Sequence, residues 1–98
     1  MKVRKFGNVW DALADTPEEA LNLAMRSDLM TSIEKVVEGW KVSQGEAAKR
    51  LGISRPRLND LLRGKMSKFS LDMLTALATR AGLKVQLSVR KAASRKAA

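Results

Sequence analysis

Residues 43 to 64 read Ser-Gln-Gly-Glu-Ala-Ala-Lys-Arg-Leu-Gly-Ile-Ser-Arg-Pro-Arg-Leu-Asn-Asp-Leu-Leu-Arg-Gly. This stretch predicts two short helices joined by a tight turn. Ser43 and Glu46 have the S-x-x-E spacing of a capping box, so the first helix is expected to begin at the residue after Ser43. Gly52 is expected to leave that helix with a positive φ, and Ser54 is expected to cap the second helix.

The second helix has one apolar side and one polar side. On a helical wheel, Leu58, Leu61 and Leu62 share a face. The other side carries Arg55, Asn59 and Arg63, with Pro56 and Asp60 beside them and Arg57 on the flank. The simplest alternative is a helical hairpin with a solvated charged face. We favour a helix that lies in the major groove of DNA, because caps, turn glycine and exposed cations occur together.

The chain is basic, and its positive charge is unevenly distributed. Its 98 residues carry 19 Lys and Arg against 10 Asp and Glu, a net charge of +9 at pH 7. Residues 1–40 hold five basic and seven acidic side chains, net −2, whereas residues 41–98 hold fourteen and three, net +11. The motif therefore lies in the half whose charge favours nucleic-acid phosphates through counterion release.

Missing residue types exclude several classes of function. The chain has no Cys and no His, which removes disulfides, thiolate metal sites and the commonest general base. We therefore expect no metal, no cofactor and no enzymatic activity. No apolar run approaches the roughly 20 residues of a membrane helix, and the basic N-terminus has no apolar region behind it. We expect a cytoplasmic, nucleoid-associated protein without a signal peptide or a membrane partner.

The segment before the motif predicts a long helix. Thr16-Pro17-Glu18-Glu19 is a strong start signal, and apolar residues then recur at steps of three and four up to Trp40. We favour one continuous helix over residues 17–39, closed by Gly39, over a break at Ser27-Asp28. Trp10 and Trp40 are interpreted as core residues.

The segment after the motif predicts a loop, a helix and a strand. Residues 65–68 form a short basic loop, and a helix begins after Ser70 and ends at Gly82. From Leu83 the period changes to two, which predicts a strand over 83–90 with Val85, Leu87 and Val89 on one side. A lone strand needs a partner. It pairs either with residues 2–6 or with its own copy across a two-fold axis, and we favour the second.

The motif resembles the helix-turn-helix of the XRE (Cro/phage-repressor) family. Gln44, Ala48 and Gly52 take the family's opening, small-residue and turn positions. Residues 6–13 and 69–87 resemble a subgroup that includes HigA-like antitoxins. This resemblance implies a mainly α, four- to five-helix lambda-repressor-like domain. We assign an N-terminal extension to residues 1–15, the DNA-binding domain to 16–90 and a disordered basic tail to 91–98.

The resemblance also implies roles for the polar residues. Gln44 lies next to the phosphate backbone, together with Ser43 and Ser54 at the helix starts. Arg55 is expected to read guanine, and Asn59 either pairs with adenine or holds a phosphate. Pro56 offers only apolar contact, and Asp60 either accepts from cytosine or, as we favour, pairs with Arg57 or Arg63. The expected phosphate clamps are Arg57, Arg63, Lys65 and Lys68.

The sequence leaves two functions open and argues against a third. The first is a dimeric, autoregulating repressor of a palindromic double-stranded DNA operator, acting as antitoxin to a RelE-superfamily (HigB-like) toxin, as the resemblance implies. The second is a stand-alone XRE regulator without a toxin. The third, an enzyme, is rejected because the chain has neither a phosphate-cradling glycine loop nor a carboxylate pair outside a helix start.

Overall fold

The computed structural model describes residues 14–92, which form a mainly helical fold. Its four α-helices are α1 (Pro17–Trp40), α2 (Gln44–Leu51), α3 (Arg55–Leu62) and α4 (Leu71–Arg80), with a short 3-10 helix, Met66–Lys68, between α3 and α4. The helical fold class is confirmed. Our predictions for Trp10, for a strand at residues 2–6, and for most of the N-terminal extension and basic tail lie outside the described residues.

The first helix, α1, is continuous from end to end. The Thr16 hydroxyl caps its first turn by accepting a hydrogen bond from the Glu19 amide (3.1 Å). The helix passes through Ser27-Asp28 without a break, which confirms the continuous helix that we favoured. Its end differs from the prediction. Gly39 lies inside the helix, and Lys41 leaves it with a φ of 54°, a conformation that costs a non-glycine residue energy.

The core lies where α1 packs against α3 and α4, and α2 joins it by packing against α3 and α4. Met30, Ile33 and Val37 form its stripe on α1. Burial of one large apolar side chain stabilises the folded state by about 1.5–3 kcal/mol. The helices α2 and α3 are too short to be stable by themselves. The helix-turn-helix therefore depends on α1 and α4. The most deeply buried large side chains are Ile33, Leu51, Leu58, Leu61, Phe69, Leu74 and Leu77.

The turn between α2 and α3 has the predicted caps and glycine. The Ser43 and Ser54 hydroxyls accept from amides three residues later, at 3.1 Å and 3.2 Å. Gly52 has a φ of 73°, and the Ile53 amide donates to the Ala48 carbonyl (3.0 Å). That bond satisfies one of the free carbonyls at the end of α2. Local sequence chemistry thus fixes the starts of both helices and the end of α2.

Residues 83–92 leave the helical body without forming regular structure. Gly82 turns the chain with a φ of 88°, and the Leu83 amide donates to the Ala78 carbonyl (2.9 Å). Beyond Leu83, no backbone hydrogen bond joins this segment to another described residue. The strand predicted at 83–90 is therefore not confirmed. A strand requires a partner ladder, and residues 14–92 of a single chain supply none.

Candidate nucleic-acid interface

The polar side of α3 faces solvent because its leucines hold the other side in the core. Leu58 and Leu61 are both 0% exposed. Asn59 is half-buried one turn from the helix start. The exposed residues at the two ends of the helix are Ser54, Arg55, Pro56 and Arg63. The structure thus places the predicted polar side of α3 towards solvent. We call this side the polar strip; its residues are Arg55, Pro56, Asn59, Asp60 and Arg63.

The N-terminus of α2 lies beside this strip. A Cβ placed on Gly45 would be 3.7 Å from Cδ of Arg55, so the Arg55 side chain passes over the first turn of α2. Ser43 and Gln44, both exposed, border the same surface. The amides and the positive dipole end of a helix N-terminus attract phosphates. A candidate base reader and a candidate phosphate site therefore share one face.

Arg57 faces inward, unlike the other arginines of the motif. Its Nη2 donates to Sδ of Met73 (2.9 Å), and its guanidinium lies over the Phe69 ring, 4.7 Å from the centroid. A cation held over an aromatic face gains about 0.5–2 kcal/mol. Arg57 thus joins α3 to α4 and to Phe69 just before it, a contact that we did not predict. Its role as a phosphate clamp stays a prediction. Its flank position on the wheel brings it within reach of α4.

Asp60 has partners other than those we predicted. Its carboxylate pairs with Nζ of Lys65 (3.6 Å) and of Lys68 (3.9 Å), and not with Arg57 or Arg63. The chain reverses after α3, and the 3-10 helix brings both lysines back towards Asp60. The lysine side chains remain 44% and 52% exposed. They stay accessible at the edge of the strip while neutralising the one anion within it.

Arg26 anchors the loop that carries these lysines, a role absent from our predictions. Its Nη1 donates to the carbonyls of Met66 (2.9 Å) and Phe69 (3.2 Å), and its Nε donates to Oδ1 of Asn22 (2.7 Å). One signal in the sequence pointed to it. Arg26 continues the apolar stripe of α1 at the spacing that leads to Met30, and a charged residue on a core-facing stripe needs partners.

Arg80 ties the end of α4 to the turn of the motif and was also missed. Its Nη1 donates to the Leu51 carbonyl (3.0 Å), the last carbonyl of α2. The same Nη1 lies 3.2 Å from where a Cβ on Gly52 would stand. Leu51 is fully buried, and a buried carbonyl needs a donor. Nothing in the local sequence around Arg80 indicates this contact.

Metal-ligating clusters and membrane-spanning helices are absent from the part of the chain that the structure describes. Among residues 14–92, no three His, Cys, Asp or Glu side chains converge on a point where an ion would fit. No helix in that range combines the length and the apolarity that a bilayer crossing requires.

Comparison with known proteins identifies the family. A family model described as a helix-turn-helix domain matches residues 12–90. The chain belongs to this helix-turn-helix family. It is also similar to a solved structure named an XRE family transcriptional regulator, with 28% identity, 79% of this chain and 86% of that chain covered, and a TM-score of 0.70. None of the curated proteins matches. These findings confirm the predicted helix-turn-helix; the HigA-like subgroup stays a prediction.

Proposed function

We propose that this protein is a transcriptional regulator that binds double-stranded DNA through α2 and α3. The observation that carries the proposal is the outward strip of Arg55, Asn59 and Arg63 beside the N-terminus of α2. The net charge of +11 over residues 41–98 supplies the sequence-independent attraction. The similarity to an XRE family transcriptional regulator supports the same function.

Within this proposal the residues of the strip divide into readers and clamps. Arg55, at the first position of α3, reads guanine O6 and N7, and Asn59, one turn on, pairs with adenine or holds a phosphate. Pro56 contacts a thymine methyl. Arg63, at the far end of the helix, binds a phosphate. The remaining phosphate contacts come from the helix starts and the loop, at Ser43, Gln44, Ser54, Lys65 and Lys68.

A preferred duplex selected from a randomised pool provides the test, with binding measured by fluorescence anisotropy at several salt concentrations. Arg55→Ala should cost about 1–3 kcal/mol on the selected duplex and little on random DNA, whereas Arg63→Ala should weaken both alike and lower the salt slope by about one. Lys35→Ala, an exposed cation on α1, is the control. Equal losses on both duplexes for Arg55→Ala would exclude base reading. No duplex preference at low salt would exclude the function.

We also propose that the regulator is a homodimer on a palindromic operator. Val85, Leu87 and Val89 are 45%, 79% and 82% exposed, which is unusual for three alternating apolar residues. Pairing of residues 83–90 with the same residues of a second copy covers them and supplies a backbone ladder, which no residue within 14–92 provides. A two-fold axis then fixes the spacing between two α3 helices.

The role of this regulator that we propose is autorepression as the antitoxin of a type II toxin–antitoxin pair. The resemblance of residues 6–13 and 69–87 to HigA-like antitoxins supports it. The net charge of −2 over residues 1–40 also suits a basic, RelE-superfamily ribonuclease. Co-purification with the product of an adjacent small basic reading frame, and relief of its toxicity, would support the pair. Without such a frame, the protein is a stand-alone XRE regulator.

A further inference from the structure

Two apolar clefts run along α1 beside the C-terminal segment. The larger, about 450 Å³, lies between α1 and α4 and has residues 85–87 as one wall. The smaller, about 210 Å³, continues it past Ala78 and Leu83. Asp28, Leu29 and Val85 line both clefts. Besides residues 85–87, the larger cleft is lined by Met25, Asp28, Leu29, Leu71, Asp72 and Thr75.

The segment along these clefts is incompletely covered on its apolar side and unpaired in its backbone. Val85 and Leu87 line the larger cleft and are nevertheless 45% and 79% exposed. No backbone hydrogen bond ties residues 84–92 to another described residue. A partner strand with its own apolar side chains would both pair with this backbone and cover Val85 and Leu87.

We propose that the clefts receive the apolar side chains of a second copy of this chain, whose residues 83–89 pair antiparallel with residues 83–89 of the first. This inference rests on the proposed homodimer. A paired strand lies about 4.8 Å from its neighbour, and directly opposite side chains share a face. The second copy's apolar residues therefore stand next to Val85 and Leu87, over the cleft that these two residues already line.

The apolar residues select one register of this pairing. When Gln86 faces its own copy, Val85 faces Leu87 and Leu83 faces Val89. All four apolar residues then pair with one another on the face that meets the clefts. The larger cleft receives the second copy's Leu87 and Val85, and the smaller cleft, at Leu83, receives its Val89.

Charge favours the same register. With Gln86 on the two-fold axis, Lys84 faces Ser88 and no like charges are directly opposed. Of the two neighbouring registers, the one in which Leu87 faces its own copy places Lys84 opposite Arg90 at both ends of the ribbon. The one in which Val85 faces its own copy opposes no like charges but places Val89 opposite Ala81, the residue after α4. Like charges directly opposite each other destabilise an antiparallel pair. A register in which one strand is shifted by an odd number of residues places apolar residues opposite polar ones.

The register is tested by disulfide trapping, because the chain contains no Cys. A Gln86→Cys variant should cross-link to its copy nearly completely on mild oxidation, since opposed strand residues lie within the Cα distance that a disulfide requires. Ser88→Cys is the matched control on the same face. Its copy lies four residues along the second strand, about 13 Å away, and should remain reduced. Cross-linking of Ser88→Cys, or of neither variant, would overturn the register.

The clefts are tested by charge placed on α4. Thr75 and Thr79 are both exposed, and each hydroxyl donates to the carbonyl four residues earlier, at 2.9 Å and 3.0 Å. Only Thr75 lines the larger cleft. Thr75→Glu should raise the dimer dissociation constant at least about tenfold, because it buries a charge beside Asp28 and Asp72, whereas Thr79→Glu should change it less than about twofold. Sedimentation equilibrium measures both.

The outcomes separate this inference from the proposed function. A dimer that binds DNA but is equally sensitive to Thr75→Glu and Thr79→Glu overturns the cleft assignment and leaves DNA binding intact. A protein that is monomeric at all concentrations overturns the interface. A dimer with the expected cross-link and the expected cleft sensitivity, but without affinity for any duplex, supports the interface and refutes the regulator.

Discussion

The leucines of α3 and the apolar residues of the C-terminal segment lie at opposite extremes of burial. Leu58 and Leu61 are 0% exposed, whereas Leu87 and Val89 are 79% and 82% exposed. A helix satisfies its backbone within itself, so α3 needs only a surface on which to bury its leucines. A strand needs a neighbour for its backbone as well. The comparison shows that the helical body buries its apolar face within one chain, whereas residues 84–92 have no backbone partner among the described residues. We propose that a second copy supplies that partner.

Core truncation should show this contrast most strongly. Leu58→Ala should lower the free energy of unfolding by about 2–5 kcal/mol, because it leaves a cavity among buried side chains. Leu87→Ala, measured at protein concentrations too low for association, should change it by less than about 0.5 kcal/mol. Urea denaturation followed by circular dichroism measures both. Comparable losses under dilute conditions would place Leu87 in the core of the single chain.

Removal of the Arg80 side chain should have the next largest effect on stability, because this side chain joins α4 to the turn of the helix-turn-helix. Arg80→Ala leaves the buried Leu51 carbonyl without its donor and should cost about 1.5–3 kcal/mol. Arg90→Ala, an exposed arginine of the C-terminal segment, should cost less than about 0.5 kcal/mol in the monomer. Thermal unfolding distinguishes the two. A silent Arg80→Ala would show that solvent reaches the carbonyl.

Two glycines differ in whether their backbone conformation requires a glycine. Gly52→Ala should destabilise the protein by about 1–2 kcal/mol, because its φ of 73° is unfavourable for an L-residue. Gly39→Ala should stabilise it by about 0.5–1 kcal/mol, since Gly39 lies inside α1 with open space around it. Paired denaturation curves provide the measurement. A neutral or stabilising Gly52→Ala would contradict the role of Gly52 in the turn, and a destabilising Gly39→Ala would contradict the open helical site at Gly39.

The smallest effect on stability should come from the ion pairs of Asp60. Asp60→Asn removes partly exposed pairs with Lys65 and Lys68 and should change the free energy of unfolding by less than about 1 kcal/mol. Its effect on DNA should be clearer, because two cations at the edge of the strip lose their counter-charge. We expect tighter binding to random duplexes and a steeper salt dependence. Unchanged salt dependence would mean that these lysines lie away from phosphate.

Several features of the interface were predictable because they depend on neighbours in the sequence. Caps at Ser43 and Ser54, the turn at Gly52 and the buried side of α3 each follow from residues within one or two helical turns. The partners of Asp60 were predicted wrongly, and the contacts of Arg57 with Phe69 and Met73 were not predicted. The wheel placed Arg57 on a flank but carried no information about Met73 of α4 or Phe69, just before α4, which the packing of α4 brings alongside it.

The sequence by itself determined where α1 to α4 lie along the chain and which side of each helix is apolar, because capping and periodicity act between neighbouring residues. Only the tertiary structure decided which polar groups meet. Arg26 donates to carbonyls that lie 40 and 43 residues further along the chain, and Arg80 donates to a carbonyl 29 residues before it. These contacts depend on how the helices pack. A buried carbonyl accepts whichever donor packing brings near, and no local pattern encodes that proximity.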